Sequence, residues 1–148
     1  MPVPEIGVMF DLEIAPLLAK DAPLFVWMID DFLVAGEQVF LDRGYTRHAR
    51  IVWDKMRGIA PGFTVRYMHE YLIWFNPVPR RPIAPDSRGL FGTIIRERAR
   101  QHSRKPDAAY AMVERLFPDT RRIDVFSREK RAGWDQYGDQ IDHFGSRS

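Results

Sequence analysis

Residues 103–128 read SRKPDAAYAMVERLFPDTRRIDVFSR, and the change of period inside this stretch decides the fold class. Ala109, Met112, Val113 and Leu116 recur at the three- and four-residue spacing of one helical face. Pro106 suits the first helical position, where no backbone N–H is needed, so the spacing predicts a helix starting there. Arg121 to Phe126 (RRIDVF) then reads as a strand. A helix running directly into a strand points to an α/β protein.

The upstream elements fit the same alternation. Ile6, Phe10, Ile14 and Leu17 share a helical face that Pro16 should end or distort. Leu24 to Met28 (LFVWM) is a continuous apolar run, read as a buried strand, and Asp30-Asp31 after it can cap a helix. That helix would bury Phe32, Ala35, Val39 and Phe40, with Gly44 placed for a C-terminal cap. Arg47 to Trp53 alternates like a strand, and Tyr71 to Phe75 (YLIWF) reads as another buried one. Strands separated by helices imply a largely parallel sheet, with the 47–53 and 69–75 runs as an antiparallel pair. Between them and the last helix lies a proline- and glycine-rich stretch, NPVPRRPIAPDSRGLFG (76–92), and residues 76–104 as a whole read as a long basic loop. Loops of this length are functional or disordered. No repeat or low-complexity tract divides the chain, so residues 1–148 are expected to form one domain.

Composition narrows the classes. With 45% hydrophobic and 13% aromatic residues, the 148-residue chain can bury a core. It has no apolar run long enough for a membrane helix and no basic start of a signal peptide, so a soluble, cytoplasmic protein without a membrane partner is expected. The absence of cysteine excludes disulfides and thiol nucleophiles, and no histidine pair has metal-ligand spacing. The net charge is only +2. Arginine nevertheless clusters at Arg80-Arg81, Arg88, Arg96, Arg98, Arg100, Arg104 and Arg121-Arg122, a pattern suited to phosphate contact and equally to a solvated surface.

Two constellations carry chemistry. Lys105 stands where a helix cap belongs, and a cation beside a helix N-terminus makes an anion site when a carboxylate or phosphate lies between them. The alternative is a lysine directed into water. The second is the end of the last strand, Ile123 to Arg128, with Gly133-Trp134 and Gly138-Asp139-Gln140 beyond it. Ligands of open sheets bind past the carboxyl ends of strands, which places Phe126 and Arg128 for a nucleotide-like ligand. Taken alone, a residue such as Phe126 is more often core and one such as Arg128 more often surface.

The motifs Ser103-Arg104-Lys105-Pro106-Asp107, Glu114 to Pro118, Asp124 to Arg128, Gly133-Trp134 and Gly138-Asp139-Gln140 together resemble the C-terminal block of the METTL-type N6-adenine methyltransferases. Leu24 to Trp27, Ile51 to Lys55 and His69 to Ile73 are similar to that family's middle strands. The resemblance implies a Rossmann-like methyltransferase fold, circularly permuted and N-terminally incomplete, corresponding to the C-terminal two-thirds of the family domain. It implies S-adenosyl-L-methionine as cofactor, with Lys105 at its methionine end, Phe126 at the adenine, and Arg128, Asp139 and Gln140 at the ribose. On the substrate side it implies His69, Glu70, Trp53 and Lys55, joined by Arg96, Arg98 and Arg100 from the basic segment. Asp139 departs from the family's usual asparagine, which removes a hydrogen-bond donor.

The larger departure is the absence of any Pro-Pro or Asp-Pro pair. The family's Asp-Pro-Pro-Trp motif, which holds the target amine, has no counterpart. The expectation is therefore methyl transfer to adenine N6 in nucleic acid, DNA ahead of RNA, in a bacterial or phage setting, with Met1 as an internal start. The alternatives are a non-catalytic cofactor- or substrate-binding subunit, dependent on a partner or on self-association, and a nucleic-acid-binding protein on the same fold.

Overall fold

The computed structural model describes residues 2–57, 65–101, 104–126, 129–138 and the backbone of 146–147. Its centre is a four-stranded sheet ordered β1 (Leu24–Met28), β3 (His69–Asn76), β2 (Thr46–Asp54) and β4 (Ile94–Arg96). Strand β3 runs antiparallel to both neighbours, while β2 and β4 are parallel. The expected antiparallel pairing is present. The sheet is mixed rather than largely parallel, because β3 enters between β1 and β2 with the opposite direction.

Alternation along the strands builds two cores. Ile73 and Phe75 turn toward Phe10, Ile14, Val39 and Phe40, which come from the N-terminal helical segment and α2 (Leu33–Leu41). Leu72 and Trp74 turn the other way, toward Ala109, Met112 and Leu116 of α3 (Asp107–Leu116), with Ile51, Trp53 and Ile95 alongside. Helices thus cover both faces of the sheet, and β3 is apolar on both sides for that reason.

Local expectations hold in some places and shift in others. The N-terminal segment is an α-helix over Val3–Met9, a π-helical turn over Phe10–Ile14 and a 3-10 turn over Ala15–Leu17. Phe10 and Ile14 are buried, whereas Leu17 is exposed after Pro16 breaks the helical face. The buried side of α2 is displaced from the expected stripe. Phe32 and Ala35 are exposed and Glu37 is buried, because its carboxylate is held by Arg50 at 2.7 and 2.8 Å and by Arg47 at 3.2 Å. Asp30 and Asp31 lie in a 3-10 turn, and α2 starts only at Leu33, with Phe32 at its cap position. The Asp30 charge instead acts on Tyr67, raising the pKa of its phenol. Gly44 has a φ of +88° after α2, a conformation that favours glycine and ends the helix as expected.

The basic stretch expected as an exposed loop is anchored at several points. It contains a 3-10 turn over Pro85–Ser87 and the strand β4. Arg81 forms a bidentate pair with Asp21 at 2.7 and 3.0 Å and also bonds Thr120. Ala84 N–H donates to Leu116 O at 2.8 Å. Arg80, Arg88, Arg96 and Arg98 remain exposed.

Past α3, β5 (Arg122–Val125) pairs in parallel with β7 (Trp134–Tyr137), and β6 (Lys130–Arg131) pairs with β8 (Ser146–Arg147). Among the described residues β1 pairs only with β3, and β5 only with β7. Residues Leu24 to Trp27 of β1 are accordingly half-buried rather than fully buried. No helix among the described residues is long and apolar enough to cross a membrane.

Phe75 is fully buried at the middle of one core. Phe75→Ala is expected to lower unfolding stability by about 3–5 kcal/mol through lost transfer energy and a residual cavity. Equilibrium denaturant titration measures the difference.

Candidate functional site

A cleft of about 670 Å³ runs between Leu24 to Trp27 of β1 and Arg122 to Val125 of β5. The helical segment bearing Phe10 and Ile14 and the Ala109–Tyr110–Val113 side of α3 also line it. A smaller pocket of about 240 Å³ lies at the end of β1, against Met28, Ile29, Phe32 and Glu70. Lys105 and Trp27 line both cavities. The volume of the larger one lies in the range of small-molecule sites, roughly 300–1,000 Å³.

At the junction sits a carboxylate between two lysines. Glu70 is 7% exposed on the α3 face of β3. Its Oε1 accepts from Lys105 Nζ at 2.8 Å, and Lys55 Nζ lies 2.7 Å from its Oε2. Each ammonium also faces an indole, Lys105 at 5.2 Å from the Trp27 ring and Lys55 at 5.5 Å from the Trp53 ring. These rings meet edge to face at 5.7 Å. Burial by itself would raise the Glu70 pKa, but the charges and hydrogen bonds of Lys105 and Lys55 outweigh it and hold the carboxyl below its ordinary range.

Lys105 reaches this position by a route the sequence does not reveal. Pro106 is the cap residue of α3 rather than its first helical residue. The helix N-terminus is already served by Glu97, whose carboxylate accepts from the N–H groups of Asp107 and Ala108 at 2.8 and 3.0 Å. The anion on the α3 dipole is thus a side chain of the protein itself, and Lys105 turns instead to Glu70. Arg100 fixes the Lys105 backbone by donating to its carbonyl at 2.9 Å and pairs with Asp107 at 3.3 Å. Arg104 bonds Glu129 at 2.9 Å, and Arg131 bonds Asp107 at 2.7 Å and Glu129 at 3.0 Å. The Arg131 guanidinium also lies 4.0 Å from the Tyr110 ring centre. The Tyr110 hydroxyl donates to Asp124 at 2.7 Å. Burial, and then the Asp124 charge, push the Tyr110 pKa upward, so the phenol stays protonated.

Phe126 ends β5 with a φ of +58°, which is unusual for an aromatic residue. It is 51% exposed, so it is not a core residue. Its N–H donates to Tyr137 O, and the two rings lie 6.1 Å apart. Gly138 makes this approach possible. A Cβ at Gly138 would sit 2.9 Å from the Phe126 Cα, and its φ of +137° also favours glycine.

The remaining expected site residues separate. Lys105, Glu70, Lys55 and Trp53 come together, although Trp53 is 2% exposed and supports Lys55 from below instead of offering a face to substrate. Its indole N–H donates to Glu97 O at 2.8 Å. His69 points to the opposite face of β3 from Glu70 and packs 5.1 Å from the Tyr71 ring. Arg96 and Arg98 are exposed, while Arg100 is drawn inward by Asp107 and the Lys105 carbonyl. Arg128, Asp139 and Gln140 lie outside the described residues. Glu97, Tyr110, Asp124 and Arg131 were missed by sequence reasoning. Only the aromatic and acidic residues within the 103–128 block offered a signal, and their pairing is not encoded in spacing.

Residues 86–140 match the protein-family profile MT-A70. A protein of Oryza sativa subsp. japonica named probable N(6)-adenosine-methyltransferase MT-A70-like is 31% identical over 138 residues, covering 85% of this chain and 19% of that protein. The Homo sapiens N(6)-adenosine-methyltransferase catalytic subunit METTL3 is 31% identical over 137 residues, covering 86% and 23%. The type II methyltransferase M.MunI of a Mycoplasma species is 26% identical over 136 residues, covering 88% and 55%. The chain therefore spans about a fifth of the plant and animal relatives and about half of the bacterial one.

Two outcomes are expected from this geometry. Gly138→Ala should displace Phe126 and quench any ligand-induced change at that ring, detectable by NMR of the labelled phenylalanine. Glu70 has a folded pKa below its unfolded value, so its stabilising contribution is complete above about pH 4.5 and fades as pH falls through the folded value. The stability difference between wild type and Glu70→Gln is expected to shrink below that pH, measured by denaturant titration across pH 3–7.

Proposed function

From the chain's membership of the MT-A70 family, we propose that it forms the cofactor-binding part of an S-adenosylmethionine-dependent methyltransferase acting on adenine N6 in nucleic acid. The fold proposed is Rossmann-like and circularly permuted, with residues 1–148 as one domain and 76–104 as its basic segment. The observation that carries this reading is the position of Lys105 at the junction of the two cavities, with Phe126 at the end of β5.

The donor set fits the cofactor. A partly exposed ammonium suits a carboxylate, and a half-exposed aromatic ring held by backbone geometry suits an adenine face. Lys105 would take the amino-acid carboxylate and Phe126 the base. Arg128, Asp139 and Gln140 carry the ribose role on the resemblance alone. When bound, S-adenosylmethionine supplies an electrophilic methyl group on a sulfonium. The protein's part is to orient that group, exclude water and hold an unpaired adenine outside its stack. Glu70 and Lys55 face the substrate side of the junction, Trp53 supports Lys55 from below, and His69, on the opposite face of β3, keeps a substrate role on the resemblance alone. Arg96 and Arg98 offer exposed contacts to backbone phosphate, and Arg100 contributes by holding the Lys105 backbone.

Among the described residues the outer edges of β1 and β5 are unpaired, and both strands border the same apolar cleft. A further strand laid between them would join the two sheets, since an unpaired edge is a template for pairing. The Asp-Pro-Pro-Trp segment of the resembled family belongs in this place in our reading, and it would bring the carboxylate that fixes the target amine. DNA is the first substrate reading. RNA is the second, favoured by the higher identity to proteins named as N(6)-adenosine methyltransferases.

The test pairs binding with turnover. The purified chain is expected to bind S-adenosylhomocysteine weakly by calorimetry, with affinity reduced roughly ten- to a hundredfold by Lys105→Ala, the effect of losing one charge-assisted bond. Transfer of labelled methyl to adenine-containing DNA or RNA is expected to be undetectable with this chain alone. A longer chain that includes the missing strand and motif should recover it. Robust turnover by the 148-residue chain would overturn the proposed need for that strand, and absence of cofactor binding in both forms would overturn the cofactor reading.

A further inference from the structure

Glu70 holds two lysines where one would neutralise it, and the two are not equivalent. Lys55 directly succeeds β2, with its N–H bonded to Met68 O and its carbonyl accepting from Ala99 N–H, both at 2.9 Å. Its side chain is 15% exposed above the buried Trp53. Lys105 stands in the segment before α3, and its side chain is 21% exposed. It lines both cavities and faces Trp27 of the open-edged strand β1. The cluster carries one positive charge in excess.

A buried carboxylate that loses its only counter-ion is left uncompensated in a medium of low polarity, which is strongly unfavourable. A single Lys105–Glu70 pair would therefore resist giving Lys105 to a ligand. With Lys55 on the second oxygen, Lys105 can leave while Glu70 keeps a charged partner. We propose that Lys55 is a resident counter-ion that frees Lys105 to exchange from Glu70 to a ligand carboxylate, making Lys55 and Glu70 positioning residues for Lys105. The ligand carboxylate is the amino-acid end of the cofactor, so the inference rests on the function proposed above. Arg100 holds the Lys105 carbonyl, so the exchange is a swing of the side chain from a fixed backbone point.

Two arms test this. In the first, unfolding stability is measured for Lys55→Met, Lys105→Met, the double variant, and each combined with Glu70→Gln. If either lysine suffices for Glu70, the double variant loses more than the sum of the single losses, and Glu70→Gln removes that excess. Additive losses, or an excess that survives Glu70→Gln, would overturn the proposal. In the second arm, binding of S-adenosylhomocysteine is compared with that of 5′-methylthioadenosine, which lacks the amino-acid end. Lys55→Met is expected to weaken the first about tenfold or more while leaving the second unchanged, because Lys105 becomes pinned to Glu70. Adding Glu70→Gln should restore the affinity. Equal weakening of both ligands, or no restoration, overturns the exchange alone. A wild-type chain that binds 5′-methylthioadenosine as tightly as S-adenosylhomocysteine also overturns it, whereas one that binds neither overturns the cofactor reading together with the exchange.

Discussion

Strand β3 is constrained on every side, and most of the structure depends on that. It hydrogen-bonds to β1 on one edge and β2 on the other, and helices cover both of its faces. A strand so enclosed must be apolar at consecutive positions, and Leu72 to Phe75 meet that requirement. Glu70 is a buried charge within the same strand. A carboxylate in that position stays ionised only if cations come to it, so Lys55 from the end of β2 and Lys105 from before α3 are both drawn to one point. The polar junction between the cavities is a consequence of burying an acid near the start of the enclosed strand.

Much of the architecture was legible because it rests on local periodicity. The run Leu24–Met28 forms a strand with the expected bounds, and the α3 face Ala109, Met112 and Leu116 is buried as its spacing requires. What was not legible depends on distant charge. The buried face of α2 shifted because Glu37 finds Arg47 and Arg50, ten and thirteen residues away, and no helical pattern signals a satisfied acid. Lys105 suggested an anion site at its own helix, yet its partner lies thirty-five residues upstream. The largely parallel sheet failed for a topological reason, since the order of elements does not reveal that β3 is inserted between β1 and β2.

The candidate site also shows how a resemblance and a physical reading divide the work. The match to the MT-A70 profile spans residues 86–140, and the cofactor roles proposed for Lys105 and Phe126 within it come from the motif resemblance. It does not account for the left-handed backbone at Phe126, the close approach of Gly138, or the carbonyl of Lys105 held by Arg100. Those features explain why one side chain stands half-exposed at a strand end and why the other projects from a fixed point.

The Glu97 cap on α3 has a consequence for how the chain reaches this state. The first amides of α3 are satisfied by a residue ten positions earlier, so the start of the helix is stabilised by a group outside it. Glu97 comes directly after β4, and the Trp53 indole holds its carbonyl. Docking of the basic segment onto β2 and growth of α3 are therefore one cooperative event, and the two regions should behave as a single unit of local opening. Loosening β4 and the Glu97 that follows it would free the first amides of the helix that Lys105 precedes, so the exposed arginines of the basic segment and the cavity that Lys105 lines share one folding transition.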